Sequence, residues 1–154
     1  MEYIDDYGTC ESTYATLCIY THAIDPAFVT ESLCVQPSDW RRVGELPYEA
    51  DVSKTTRRNS RPAKLSAWFL SSQNLVMSRD ARRHIDWVLD QILSKSEALF
   101  MLQEQGCNMK VSCFWASACG HGGPKISPTQ MRKLAGLNLE LEFDIYEADS
   151  ESDA

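Results

Sequence analysis

The tightest constraint on this chain is an alternation close to its C-terminal end. From Leu137 to Tyr146 the sequence reads LNLELEFDIY. Leu137, Leu139, Leu141, Phe143 and Ile145 fall on one side, and Asn138, Glu140, Glu142, Asp144 and Tyr146 on the other. Side chains alternate across a strand, so this pattern predicts a strand with one face to bury and one face in water. The rest of the chain must supply the layer that covers the apolar face. Just upstream, Ser127-Pro128-Thr129-Gln130 is a capping box with proline at the first helical position. Met131, Leu134 and Ala135 follow at core-facing spacing, and Gly136 stands where a left-handed residue would end the helix. Met109–Ser117 reads as a strand before it. A strand-helix-strand unit in one sheet makes a right-handed crossover. The two strands are therefore expected to be parallel, as neighbours or one strand apart.

The earlier chain supplies the other layers. Ser12–His22 is a strand with Ala15, Leu17 and Ile19 on one face and Tyr14, Thr16, Cys18 and Tyr20 on the other. Asp25-Pro26 opens a helix with Phe28, Val29 and Leu33 as its apolar stripe, and the helix must stop before Pro37. Arg41–Leu46 is read as a short strand. Leu65–Ser72 is a strand with apolar groups on both faces, which asks for an interior place in the sheet. Ser78 is read as the cap of a helix reaching Leu93, with Ala81, Ile85, Val88, Leu89 and Ile92 facing the core. Ser94-Lys95-Ser96-Glu97 is a second capping box, opening the helix Glu97–Gln105 that Gly106 ends. The sum is an α+β fold: a single domain with a mixed four- or five-stranded sheet and helices mainly on one face, related to a ferredoxin-like arrangement without being identical to it. The domain is expected to span residues 12–146. Residues 1–11 and 147–154 are acidic and are expected to be flexible.

Charge and cysteine usage narrow the function classes. The net charge of −7 weighs against nucleic acid and anionic membranes and leaves basic proteins and small ligands open. No apolar run approaches the ~20 residues of a membrane helix, and the acidic start MEYIDDYGTC is not a secretory leader. A cytoplasmic setting follows as the expectation, with all six cysteines as reduced thiols. Cys113, Cys119 and His121 cluster in sequence, but their spacing is not a standard zinc motif. No metal and no cofactor are expected, and a metal at these three residues stays as a minor reading.

The candidate chemistry is sparse. His84 lies at the edge of an apolar helix stripe, a common place for a packed neutral imidazole. Gly120-His121-Gly122-Gly123-Pro124 sits between a strand and a helix. Such loops can cradle phosphate, but the spacing matches neither the P-loop nor the dinucleotide fingerprint, and a backbone turn is the plainer reading. Glu140, Glu142 and Asp144 share one strand face, with carboxylates ~7 Å apart as any strand imposes. From Lys54 to Lys64 the chain carries five basic residues and no acid. Such a stretch is usually a solvated loop, and otherwise an anion site. Trp40, beside Arg41 and Arg42, is the tryptophan expected to be exposed.

Several of these pieces carry a resemblance. They are the first strand, Asp25-Pro26, and Leu33 with Val35-Gln36-Pro37-Ser38. The glycine of Arg42-Val43-Gly44-Glu45, the Trp68 strand and the His84 helix follow. The last is the end pattern from Gly122-Gly123-Pro124 to Phe143-Asp144-Ile145-Tyr146. Over about residues 12–146 the chain resembles the domain-of-unknown-function 4279 family of bacterial proteins. The resemblance implies a compact α+β bacterial domain and carries no catalytic positions.

Two functional readings follow. The first is a non-enzymatic binding protein, of immunity type, that neutralises a basic partner protein through Tyr14, Tyr20, Glu140, Glu142 and Asp144. The absence of a recognisable catalytic constellation inclines the reading away from an enzyme. The second is a small-molecule or anion-binding domain, or an enzyme, using Trp40, Arg41, Arg42, Arg57, Arg58, Arg61 and His84.

Overall fold

The architecture is that of a computed structural model, which describes residues 1–45 and 64–148. Five strands, β1 (Cys10–Thr21), β2 (Asp39–Arg41), β3 (Ser66–Ser71), β4 (Asn108–Ser117) and β5 (Glu140–Glu147), form one sheet in the order β2-β3-β1-β4-β5. The helices are α1 (Pro26–Leu33), α2 (Ala81–Ile92), α3 (Ser96–Glu104) and α4 (Pro128–Gly136). A 3₁₀ turn at Leu93–Lys95 joins α2 to α3. The result is the expected single α+β domain with a mixed sheet. Among the described residues no helix is long and apolar enough to cross a membrane.

Among the described residues every connection through an α-helix is a crossover. β1 and β2 both run antiparallel to β3, so α1 links two parallel strands that flank it. β3 and β4 both run antiparallel to β1, so α2 and α3 do the same around β1. Each is a split β-α-β unit, in which two parallel strands flank a third. β5 lies outside that pattern, paired parallel to β4 with an unbroken register from Lys110↔Glu140 to Ser117↔Glu147. The expectation of parallel strands around α4 is met, as direct neighbours.

The alternation of each strand decides what is buried. Ala15, Leu17 and Ile19 of β1 lie opposite Cys113, Val111 and Met109 of β4. Leu70 and Trp68 of β3 complete the layer, packed under Ile85, Val88, Leu89 and Ile92 of α2 and Leu99 and Leu102 of α3. Trp68 and Trp115 are fully buried, and the Trp68 indole N–H donates to Thr30 Oγ1 of α1 at 2.9 Å. Each large side chain removed from water here contributes about 1.5–3 kcal/mol. The residues of opposite parity in β1, β3 and β4 form the other face, which no described helix covers.

Several local expectations are corrected. Asp80, not Ser78, is the N-cap of α2, while Ser78 Oγ accepts from the Asp80 amide. α3 begins at Ser96 without a side-chain cap, because the 3₁₀ turn leads straight into it. Gly136 remains helical, and the left-handed residue is Asn138. Asn tolerates that conformation better than other non-glycine residues. The short strand expected at Arg41–Leu46 instead occupies Asp39–Arg41. Phe28, Met131 and Ala135, read as core-facing, are exposed, and Val29 and Leu134 carry the contacts of α1 and α4.

The N-terminal segment, expected to be flexible, is held down by a polar network. Tyr3 Oη donates to Asp86 at 2.7 Å, and the Ile4 amide donates to Asp80 at 2.7 Å. Asp5 pairs with Arg83 at 2.8 Å. Arg82 binds Asp80 at 2.6 Å, Ser127 Oγ and the Glu2 carbonyl, and Gln130 and Lys133 of α4 donate to Asp86. Acidic composition alone does not show that the acids have partners waiting on another element. At the other end Glu147 belongs to β5, and residues 149–154 lie outside the described residues.

The apolar face of the final strand is the largest departure. Leu137 and Leu139 are buried, but Leu141 is only half-buried, and Phe143 and Ile145 are 40% and 56% exposed. Leu137 and Leu139 precede β5, at the C-cap of α4 and in the turn after it.

Candidate functional site

The open face of the sheet is built by the even-numbered residues of β1, β4 and β5. Tyr14 of β1 pairs with Phe114 of β4, which pairs with Asp144 of β5. The next row joins Thr16, Ser112 and Glu142, and the next Cys18, Lys110 and Glu140. Adjacent strands lie ~4.8 Å apart, which puts the β1 and β5 members of a row ~10 Å from each other. The structure thus brings Tyr14, Glu140, Glu142 and Asp144 onto one continuous surface.

Aromatic stacking runs across that surface. The Tyr14 and Phe114 rings stack at 4.8 Å, and Phe114 meets Tyr146 at 5.4 Å. Burial raises the pKa of the Tyr14 hydroxyl, and the negative charge of Asp144 raises it further. Tyr20 shares the face but belongs to a second group, edge-on to Phe69 at 5.9 Å, with the Arg41 guanidinium 5.7 Å from the Phe69 ring. Lys110 lies between the two groups and pairs with Glu142 at 2.7 Å. That hydrogen bond raises the Lys110 pKa. Glu140 and Asp144 have no ion-pair partner among the described residues. Phe69 and Phe114 were missing from the sequence reading of this surface. Alternation places them on the open face, but only the strand order sets them beside the tyrosines.

A cavity of about 610 Å³ opens at one end of this face. Tyr14 and Phe114 form one wall, with Glu11, Thr13, Met77 and Arg79 around it. His84 reaches its floor but is only 1% exposed. Its Nε2–H donates to the Ser78 carbonyl at 2.8 Å, and Nδ1 lies 2.8 Å from Ser72 Oγ. Desolvation lowers the His84 pKa, so the ring is neutral near pH 7. Both nitrogens are committed, which suits a packing role.

The arginine-centred alternative is described only at Trp40, Arg41, Arg42 and His84. Trp40, Arg41 and Arg42 line no part of the cavity that His84 touches. Trp40 is exposed as expected, and Arg42 stacks on it at 4.6 Å while pairing with Asp25 at 2.8 Å. Arg41 points to the open face instead, in register with Ala67. Arg57, Arg58 and Arg61 lie outside the described residues.

Cys119 and His121 lie at the glycine loop, and Cys113 lies within β4. Cys113 is buried in the helix-side core beside Thr13, and burial pushes its thiol up to about 11. Cys119 is exposed, with its Sγ 3.6 Å from His121 Nε2. Among the described residues no three potential ligands gather. The loop itself is clipped to the N-terminal segment. Tyr7 Oη donates to the Gly123 carbonyl at 3.0 Å. Gly122 has φ +92, and a Cβ there would collide with Thr9. Glycine is needed at that position for close approach of the chain to itself.

No curated protein and no solved structure matches this chain. The family model described as "Domain of unknown function (DUF4279)" matches residues 11–148. That match covers most of the chain, and the chain therefore belongs to the DUF4279 family.

Proposed function

We propose that this domain is a non-enzymatic binding protein whose open sheet face receives a basic partner protein, in the manner of an immunity protein that neutralises its target. The observation that supports this reading is the surface shared by Tyr14, Phe114 and Tyr146 with Glu140, Glu142 and Asp144. Aromatic rings give a partner contact area at small entropy cost, and flanking carboxylates select for positive charge. The cavity beside Tyr14 and Phe114, with Glu11 on its rim, would receive a lysine or arginine side chain against an aromatic wall. Tyr20, Phe69 and Arg41 extend the surface toward β2.

The test is a pull-down from the native host with the wild-type chain and with Glu140→Lys/Glu142→Lys/Asp144→Lys, at low and moderate salt. The expected result is a stoichiometric basic protein on the wild type, released as salt rises and absent from the variant. Recovery of the chain alone, or the same partner on both proteins, overturns the reading.

A further inference from the structure

The two edges of the sheet are protected very differently. β2 is three residues long. β5 is eight residues long, pairs among the described residues with β4 on one side only, and contains no proline, no lysine and no bulge. Proteins normally blunt such edges with one of those devices, because a row of unpaired N–H and C=O groups is a template for another strand. β5 has only carboxylates. Glu140, Glu142 and Asp144 stand on its open-face side, while Phe143 and Ile145 stand exposed on its helix side.

We infer that the outer edge of β5 is a docking strand for an extended segment of a basic partner, added to the sheet as a sixth strand with lysine or arginine alternating with apolar residues. This rests on the function proposed above and names the form in which the partner is recognised. Backbone hydrogen bonds give the pairing its affinity, and alternate side chains give it specificity. Basic residues of the added strand face Glu140, Glu142 and Asp144, and its apolar residues cover Leu141, Phe143 and Ile145. Charge chooses the occupant. A second copy pairing β5 with β5 would oppose carboxylate to carboxylate, and like charges directly across strands are destabilising. A basic strand meets the opposite sign at every one of those positions.

The probe is a synthetic peptide of about eight residues alternating lysine and valine, matched to the length of a typical strand. It is compared with a peptide of the same composition whose lysines and valines are grouped into two blocks. Binding is read by fluorescence anisotropy and by hydrogen exchange of the β5 amides. The alternating peptide is expected to bind roughly tenfold more tightly than the grouped one and to slow exchange along β5. Phe143→Lys/Ile145→Lys should remove that advantage with Tm unchanged, since both sites are exposed. Equal binding of the two peptides, lost in the carboxylate reversal variant, overturns the edge and leaves the acidic-face reading standing. Lack of any binding overturns the docking strand, and the pull-down then decides the wider reading alone. Slow exchange in the free protein of those β5 amides that point away from β4, or concentration-dependent self-association through β5, also overturns the proposal.

Discussion

Two groups of carboxylates in this molecule have opposite fates. Asp80 and Asp86 sit between the N-terminal segment, α2 and α4, almost fully buried and saturated with donors. Burial works to raise the Asp80 pKa, but the bonds from Arg82 and the backbone amides of Ile4 and Arg82 outweigh it and hold the carboxyl below its ordinary value. Tyr3, packed against Asp86, is pushed up to about 12 by burial and then by its bond to that carboxylate. Glu140, Glu142 and Asp144 stand in water on a sheet edge, and only Glu142 has an ion-pair partner among the described residues. The first group is spent on holding the chain together. The second group has bonding capacity left for something else. Carboxylate identity does not separate structure from recognition; the completeness of the partner set does.

The largest effect should come from breaking the saturated group. Arg82→Ala would leave Asp80 buried without its main partner, and loss of about 3–5 kcal/mol in urea unfolding is expected. A loss under about 1 kcal/mol would show that the network is as dispensable as a surface pair.

Packing extends the same contrast to apolar residues. Ile85→Ala beneath the sheet should cost about 2–5 kcal/mol, since it opens a cavity in a closed core. Phe143→Ala on the outer part of β5 should cost less than about 1 kcal/mol. Equal losses would mean that Phe143 is covered and would remove the basis of the docking strand.

On the open side, Glu140→Lys/Glu142→Lys/Asp144→Lys should weaken partner binding by about 2 kcal/mol or more, or roughly thirtyfold. Tm should move by no more than a few degrees. A large fall in Tm with it would place these carboxylates in the structural group.

The smallest effect is a pH slope. His84 in the folded protein has a lowered pKa because burial disfavours its charged form. The unfolded chain therefore binds the proton more readily, and stability is full above the ordinary value of 6.5 and declines as pH falls below it. The slope is limited to about 1.4 kcal/mol per pH unit for one proton. His84→Gln should remove it below about pH 6.5. An unchanged slope would assign the titration to another group.

Much of the candidate surface was legible because strands enforce parity. Tyr14, Tyr20, Glu140, Glu142 and Asp144 fall on the open face as alternation requires. The division of that face into two aromatic groups was not legible, because it depends on β4 lying between β1 and β5. The separation of His84 from Trp40, Arg41 and Arg42 has the same origin. Nothing local reveals that Arg42 is taken by Asp25, or that His84 is closed off by Ser72 and Ser78.

The sequence by itself determined the elements of this protein: the periodicities, the capping box before α4, and the parallel crossover from β4 to β5. These are consequences of local geometry and chain handedness. Tertiary structure decided which faces were covered. α4 has nine residues and is ~14 Å long, while the eight residues of β5 span ~26 Å. A helix of that length cannot cover the whole strand. Leu137 and Leu139, which precede β5 where the chain leaves α4, are core with Leu134, and Phe143 and Ile145 of β5, identical in pattern, are left at the surface.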